Sequence, residues 1–74
     1  MRQSQEQSSY PRFVSNLRRL RERSGLTQAQ LAEAAGLNRV YLARLESGAM
    51  KNPSLETMDR LAIALGVSTI DLLR

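Results

Sequence analysis

The sequence predicts a compact all-α domain of five helices. Apolar residues recur every three or four positions along most of the chain, which is the spacing of one helix face. Glycines and capping residues divide this pattern into short segments, and no stretch alternates as a strand would. A length of 74 residues allows one domain. We expect a disordered polar arm at 1–10, rich in Gln and Ser, and a helical domain at 11–74.

The first helix is expected to begin near Pro11, because proline suits an opening turn, and to end at Gly25. Phe13, Leu17 and Leu20 form its apolar face.

The second and third helices are predicted at 28–35 and about 38–47. Thr27 and Gln30 form a capping-box pattern at the start of the second helix, and Asn38 is a favourable N-cap for the third. Gly36 lies between the two helices, where a positive φ allows a sharp turn. We therefore expect two short helices joined by a tight connection.

Two further helices follow. Ser54 is expected to cap the fourth, which Gly66 ends, and Ser68 with Asp71 forms a capping-box pattern for a short fifth helix. The predicted apolar face of the fourth helix comprises Leu55, Met58, Leu61, Ala62 and Leu65.

Composition excludes several classes of protein. The chain has no cysteine and no histidine, so disulfides, the usual zinc sites and the common nucleophilic arrangements are absent. We expect no enzymatic activity, no cofactor and no metal site. The sequence shows no apolar stretch of membrane-spanning or signal-peptide length, and we expect a cytoplasmic protein of bacterial or phage type.

Positive charge is concentrated in the first part of the chain. Residues 12–51 contain eight Arg or Lys and three Glu, a net charge of +5, whereas the remainder to residue 74 has a net charge of −1. Such a distribution is expected of a surface that meets a polyanion. Ordinary solubilising charge is the alternative that composition leaves open.

The third helix is predicted to have two different sides. Leu42 and Leu45 face the core, and Tyr41 lies between the sides. The opposite side carries Val40, Ala43, Arg44 and Ser47, with Arg39 at its edge. This slender, arginine-flanked side would enter the DNA major groove, about 12 Å wide, where arginine pairs with guanine and valine touches a thymine methyl group. The alternative is a surface helix with two solvated arginines.

These residues resemble those of the phage repressor and Cro type helix-turn-helix proteins, also called the xenobiotic-response-element family. The resemblance covers roughly residues 12–73. It is carried by Thr27-Gln28, Leu31-Ala32, Gly36-Leu37-Asn38, Tyr41-Leu42, Leu45-Glu46-Ser47-Gly48 and Asn52-Pro53-Ser54-Leu55-Glu56-Thr57. It implies the five-helix, lambda-repressor-like fold, docking of the third helix in the major groove, and dimerisation.

The resemblance also implies roles for individual residues. Those implied to contact bases or the DNA backbone are Gln28, Asn38, Arg39, Val40, Tyr41, Arg44, Lys51 and Asn52. Gln28 would in addition brace the recognition helix. Arg21 and Glu46 match a structural ion pair that joins the first and third helices in the family.

Three apolar residues near the end of the chain, Ile63, Ile70 and Leu73, are candidates for a dimer interface. The alternative is that they complete the core of the monomer.

We therefore expect a transcriptional regulator that binds a pseudo-palindromic operator as a homodimer, with half-site centres about 34 Å apart. A phage-like repressor, a restriction-modification controller and an antitoxin are the roles left open. An antitoxin-like or adaptor module that binds another protein, with DNA binding secondary, is the alternative class.

Overall fold

A computed structural model describes residues 9–50 and 52–74, and that part of the chain is all-helical. Its five helices are α1 (Ser9–Arg23), α2 (Gln28–Ala35), α3 (Arg39–Ser47), α4 (Leu55–Leu65) and α5 (Thr69–Leu73). The predicted fold class is confirmed. Helix α1 begins two residues before Pro11, and residues 1–8 of the expected arm lie outside the described residues.

Local hydrogen bonds define the starts of the helices, as the sequence predicts. The Oγ1 of Thr27 accepts a bond from the Gln30 amide at 3.0 Å, while the Gln30 side chain accepts one from the Thr27 amide at 2.9 Å. Ser68 and Asp71 form the same reciprocal pair at the start of α5. Each pair satisfies backbone donors that have no partner within their own helix.

All five helices contribute to one core. The large side chains that are fully buried are Phe13, Leu17, Leu31, Leu42, Leu45, Leu61 and Leu72. Helix α5 packs on α1, and α2 packs on both α3 and α4. Helix α3 supplies two of these leucines, Leu42 and Leu45. Because their side of the helix is buried in the core, the opposite side of α3 must face away from it.

Leu55 belongs to the predicted apolar face of α4, but the structure does not bury it in the core. Its side chain is 64% exposed, and it opens the helix well before Leu61, the first fully buried residue of α4. The start of α4 therefore projects past the core. Met58 and Leu65 are half-buried and pack against the core, and Ala62 is buried.

A buried amide joins the two ends of the domain. Asn16 of α1 donates from Nδ2 to the carbonyl of Leu72 in α5 at 3.0 Å. Its Oδ1 accepts a hydrogen bond from Arg19 at 2.7 Å. Both sides of the amide are thus paired, as a buried polar group requires, and α5 is held to α1 by more than its single fully buried leucine.

Candidate nucleic-acid interface

The connection between α2 and α3 depends on Gly36. This residue has φ +70° and ψ 33°, in the left-handed region, and its amide bonds back to α2. A Cβ atom there would lie 3.3 Å from an Arg60 guanidinium nitrogen. The next amide, of Leu37, donates to the Ala32 carbonyl at 2.8 Å. Glycine at this position thus allows α2 to stop abruptly and α3 to follow after a short turn.

Asn38 fixes the first turn of α3. Its Oδ1 accepts hydrogen bonds from the amides of Val40 at 2.7 Å and Tyr41 at 3.3 Å. The oxygen is therefore engaged in capping the helix. The Nδ2 of the same side chain remains the group that can donate to a phosphate or a base.

The two sides of α3 differ sharply in exposure. Leu42 and Leu45 are fully buried, whereas Val40 is 55% exposed. The side chains that the sequence assigned to the groove side, Arg39, Val40, Arg44 and Ser47, are all exposed, and Ala43 is half-buried. In the described part of the chain nothing covers this side, which presents small residues between two arginines.

Tyr41 lies between the two sides, as expected. It is half-buried and packs against the hydrophobic core. Its ring thus contributes to the packing of α3.

A buried ion pair connects α1 with α3. The Nε of Arg21 donates to Oε2 of Glu46 at 2.6 Å, and Nη2 donates to Oε1 at 3.0 Å. The side chains are only 13% and 4% exposed, respectively. The third nitrogen of Arg21 donates to the Leu26 carbonyl at 2.8 Å. This bidentate geometry fixes both distance and orientation between the two helices.

Gln28 of α2 joins the same network. Its Nε2 donates to Oε1 of Glu46 at 3.1 Å, so one carboxylate accepts hydrogen bonds from both α1 and α2. The pKa of Arg21 is raised, chiefly because its hydrogen bond to Glu46 favours the charged form. Charged hydrogen bonds, together with the buried leucines, therefore set the orientation of α3.

The loop after α3 contains the last two predicted DNA contacts. Lys51 lies outside the described residues. Asn52 is exposed and has φ +58°, in the left-handed region that asparagine tolerates better than most residues. Sequence reasoning did not predict this conformation, although an Asn followed by Pro53 is a known turn signal.

The three candidate dimer residues divide into two groups. Ile63 and Ile70 are 78% and 63% exposed. Leu73 is half-buried and packs against the core of the monomer. The two isoleucines are thus available on the surface, while Leu73 partly serves the packing of α5.

Two negative findings apply to the described residues. They contain no group of three or more Asp or Glu side chains placed to hold a metal ion. None of the helices in this part of the chain has both the length and the apolar character needed to cross a bilayer.

Two short helices joined by a glycine turn, the second anchored by leucines and exposed on its other side, define a helix-turn-helix DNA-binding unit. The helix-turn-helix family model matches residues 17–72. The chain belongs to this family, in its Cro/C1 type, and is a transcriptional regulator of the helix-turn-helix class.

Two relatives illustrate the family. The chain is 45% identical over 58 residues to the HTH-type transcriptional regulator y4dJ of Sinorhizobium fredii, covering 78% of this chain and 74% of that protein. It is 47% identical over 51 residues to the immunity repressor protein of Bacillus phage phi105, covering 69% of this chain. It spans only 35% of the length of the phage repressor.

Solved structures show the same fold. The restriction-modification controller protein C.AhdI of Aeromonas hydrophila superposes with a TM-score of 0.79 at 39% identity, covering 82% of this chain and 91% of that one. A structure of the biofilm master regulator SinR in complex with DNA gives a TM-score of 0.80 at 29% identity. That match covers 84% of this chain and 98% of the SinR chain.

Proposed function

We propose that this regulator binds a pseudo-palindromic operator as a homodimer, with α3 of each chain in the major groove. The observation that carries the proposal is the difference between the two sides of α3: Leu42 and Leu45 are fully buried, and the opposite side is exposed. A helix that is anchored in this way can present its other side to base pairs without rearrangement.

Base recognition is assigned to the exposed side of α3. Arg44 and Arg39 have the fork geometry that pairs with guanine O6 and N7, and Val40 is suited to a thymine methyl group. Asn38 and Tyr41 lie at the start of the helix, where the Asn38 amide and the Tyr41 hydroxyl are proposed to donate to bases or phosphates.

Backbone contacts are assigned to residues that flank α3. Gln28 is held beside the helix by Glu46, which leaves its second amide hydrogen for a phosphate. Lys51 and Asn52 are proposed to contact the phosphates from the following loop. Such contacts set the register of the protein on the duplex and carry no sequence information themselves.

Dimerisation is proposed to use the exposed apolar surface of Ile63 and Ile70, with Leu73 at its margin. Large isoleucine side chains with more than half of their surface exposed are a favourable target for a two-fold partner. A two-fold dimer would place its two recognition helices on half-sites about 34 Å apart.

Occupancy of the operator in the cytoplasm would then control transcription. Phage-type repression and restriction-modification control are the roles that two of the similar proteins carry, and both would use the same surface.

Selection of bound duplexes from a random pool tests the proposal. We expect enrichment of an inverted repeat with half-site centres about 10 base pairs apart, bound by two chains. If no sequence is enriched while circular dichroism shows the folded helical domain, the proposed function fails.

A protein-binding role is the second candidate, because one of the similar structures is SinR in a complex with the SinI protein. Salt dependence separates the two. DNA binding through six or more phosphate contacts should weaken by about a thousandfold or more between roughly 50 and 200 mM salt, whereas an apolar protein interface should respond little.

A further inference from the structure

An open cleft runs beside the recognition helix, between α1 and α3. It is lined by Arg18, Arg21, Gln28, Ala43, Glu46 and Ser47. Within it, Arg21 and Glu46 form the buried ion pair and neutralise each other. Arg18 is the cation at this cleft that is not engaged in that pair, and its side chain is 65% exposed.

The partner that Arg18 has in the structure holds it weakly. Its Nε lies 3.4 Å from a carboxylate oxygen of Glu22, one turn later in α1, and the Glu22 side chain is 58% exposed. Exposed pairs of this kind contribute little to stability and are screened by salt. The guanidinium can therefore leave Glu22, at small cost, for an anionic group that is part of a polyanion.

A DNA strand would lie within reach of this cleft. A helix with its side chains is about 10–12 Å across, and the major groove is about 12 Å wide, so an inserted helix has sugar-phosphate strands along both flanks. Ala43 and Ser47 form the wall of the cleft on α3, and Gln28, the proposed phosphate contact, lies in the same cleft. Arg18 faces them from α1.

We propose that Arg18 binds a DNA phosphate beside Gln28 and so extends the interface from the helix-turn-helix unit onto α1. The proposal rests on the proposed function. In the free protein the Arg18 guanidinium pairs with Glu22, and in the DNA complex it pairs with the phosphate instead. Glu22 thereby competes with the operator backbone and lowers affinity for every DNA sequence alike.

Replacement of Arg18 tests the proposal, and a separate replacement of its neighbour Arg19 serves as the control. Arg19 is also exposed and on α1, but it bonds to Asn16 and borders a different cleft, against Asp71 and Arg74 of the chain end. The variants Arg18→Gln and Arg19→Gln remove the same charge from adjacent positions. Dissociation constants are measured by fluorescence anisotropy at several salt concentrations, for the selected operator and for a random duplex.

Because the proposed dimer carries Arg18 in both chains, the substitution removes two phosphate contacts. The slope of log K against log salt should become less negative by about 1.8, which is about a 30-fold loss of affinity at roughly 0.15 M salt. We expect Arg18→Gln to show this loss on both duplexes, since a phosphate contact carries no sequence information. Arg19→Gln should keep the wild-type slope. Arg18→Lys, which retains the charge, should also keep it, and Glu22→Gln should bind both duplexes more tightly.

Three results would overturn the assignment of Arg18 to a phosphate. They are a salt dependence of Arg18→Gln as steep as that of the wild type, a loss of affinity in Arg19→Gln equal to that in Arg18→Gln, and a salt dependence of Arg18→Lys as shallow as that of Arg18→Gln. The last would mean that the substitution acts through the fold. A wild-type protein that fails to bind any duplex would instead refute the proposed function, so the two failures are distinguishable.

Discussion

Glu46 of α3 accepts hydrogen bonds from Arg21 on both of its carboxylate oxygens, at 2.6 and 3.0 Å. The two side chains are largely buried, at 13% and 4% exposure. A largely buried pair is costly to break from one side, because the remaining charge loses its partner and regains little water. The free-energy cost of breaking the pair therefore stabilises the orientation of α3 relative to α1.

Glu46→Ala should destabilise the domain by about 3–5 kcal/mol, since it leaves the Arg21 guanidinium buried without a counter-charge. Urea unfolding followed by circular dichroism measures the loss. Glu22→Ala is the matched control: it also removes a glutamate from an arginine, but at an exposed pair, and should change the free energy of unfolding by less than about 1 kcal/mol. Equal losses in the two variants would show that burial of the pair is unimportant.

The pKa of Asp71 is lowered, first by the hydrogen bond from the Ser68 amide and then by the Ser68 side chain. The ionised carboxylate thus stabilises the fold above its unfolded pKa of about 3.8, and that contribution is lost as the pH falls through the lower folded value.

Asp71→Asn keeps an acceptor for the cap but removes the charge. We expect the urea midpoint of the wild type to exceed that of Asp71→Asn by a constant amount from about pH 7 to 5, and the difference to shrink below about pH 4. A difference that persists unchanged in strong acid would contradict this assignment of the shift.

Ile63→Asp should weaken self-association, because it places a charge within the proposed apolar interface. Sedimentation equilibrium measures the dimer dissociation constant. Leu55→Asp is the control: Leu55 is also an exposed apolar residue of α4, at 64%, but lies outside the proposed patch. Dimers that tolerate Ile63→Asp as well as they tolerate Leu55→Asp would exclude this interface.

Arg44→Ala should weaken binding to the selected operator by about 1–3 kcal/mol and change binding to a random duplex little, as expected for a residue that reads a base. Competition binding at fixed salt measures both. Arg60→Ala, at an exposed ion pair of α4 with Glu56, removes the same charge elsewhere and should change the affinities for the operator and for the random duplex by the same small factor. Equal losses on both duplexes in Arg44→Ala would reassign Arg44 to a phosphate.

The sequence predicts most of the fold because its signals are local. The Thr27 and Ser68 capping boxes, the Asn38 cap and the glycine turn at Gly36 each depend on residues within about one helical turn of one another. The two leucines of α3 give the direction of its exposed side in the same way, from their spacing alone.

Features that depend on distant partners were not predicted from the residues themselves, and the Arg21–Glu46 pair was expected only from the family resemblance. Asn16 is an ordinary polar residue in the sequence, and its burial follows from the Leu72 carbonyl, which is remote in the chain. The exposure of Leu55 follows from where the core ends, which periodicity does not contain. The position of Arg18 beside Gln28 likewise appears only once α1 is packed against the helix-turn-helix unit.

Replacing operator guanines one at a time by deazaguanine, in which carbon replaces N7, tests most directly whether the exposed side of α3 reads base pairs. The N7 atom is accessible only in the major groove. We expect at least one replacement per half-site to weaken binding of the wild type, and the same replacement to have no further effect on Arg44→Ala. Binding that is insensitive to every replacement would contradict readout of guanine by α3 in the major groove.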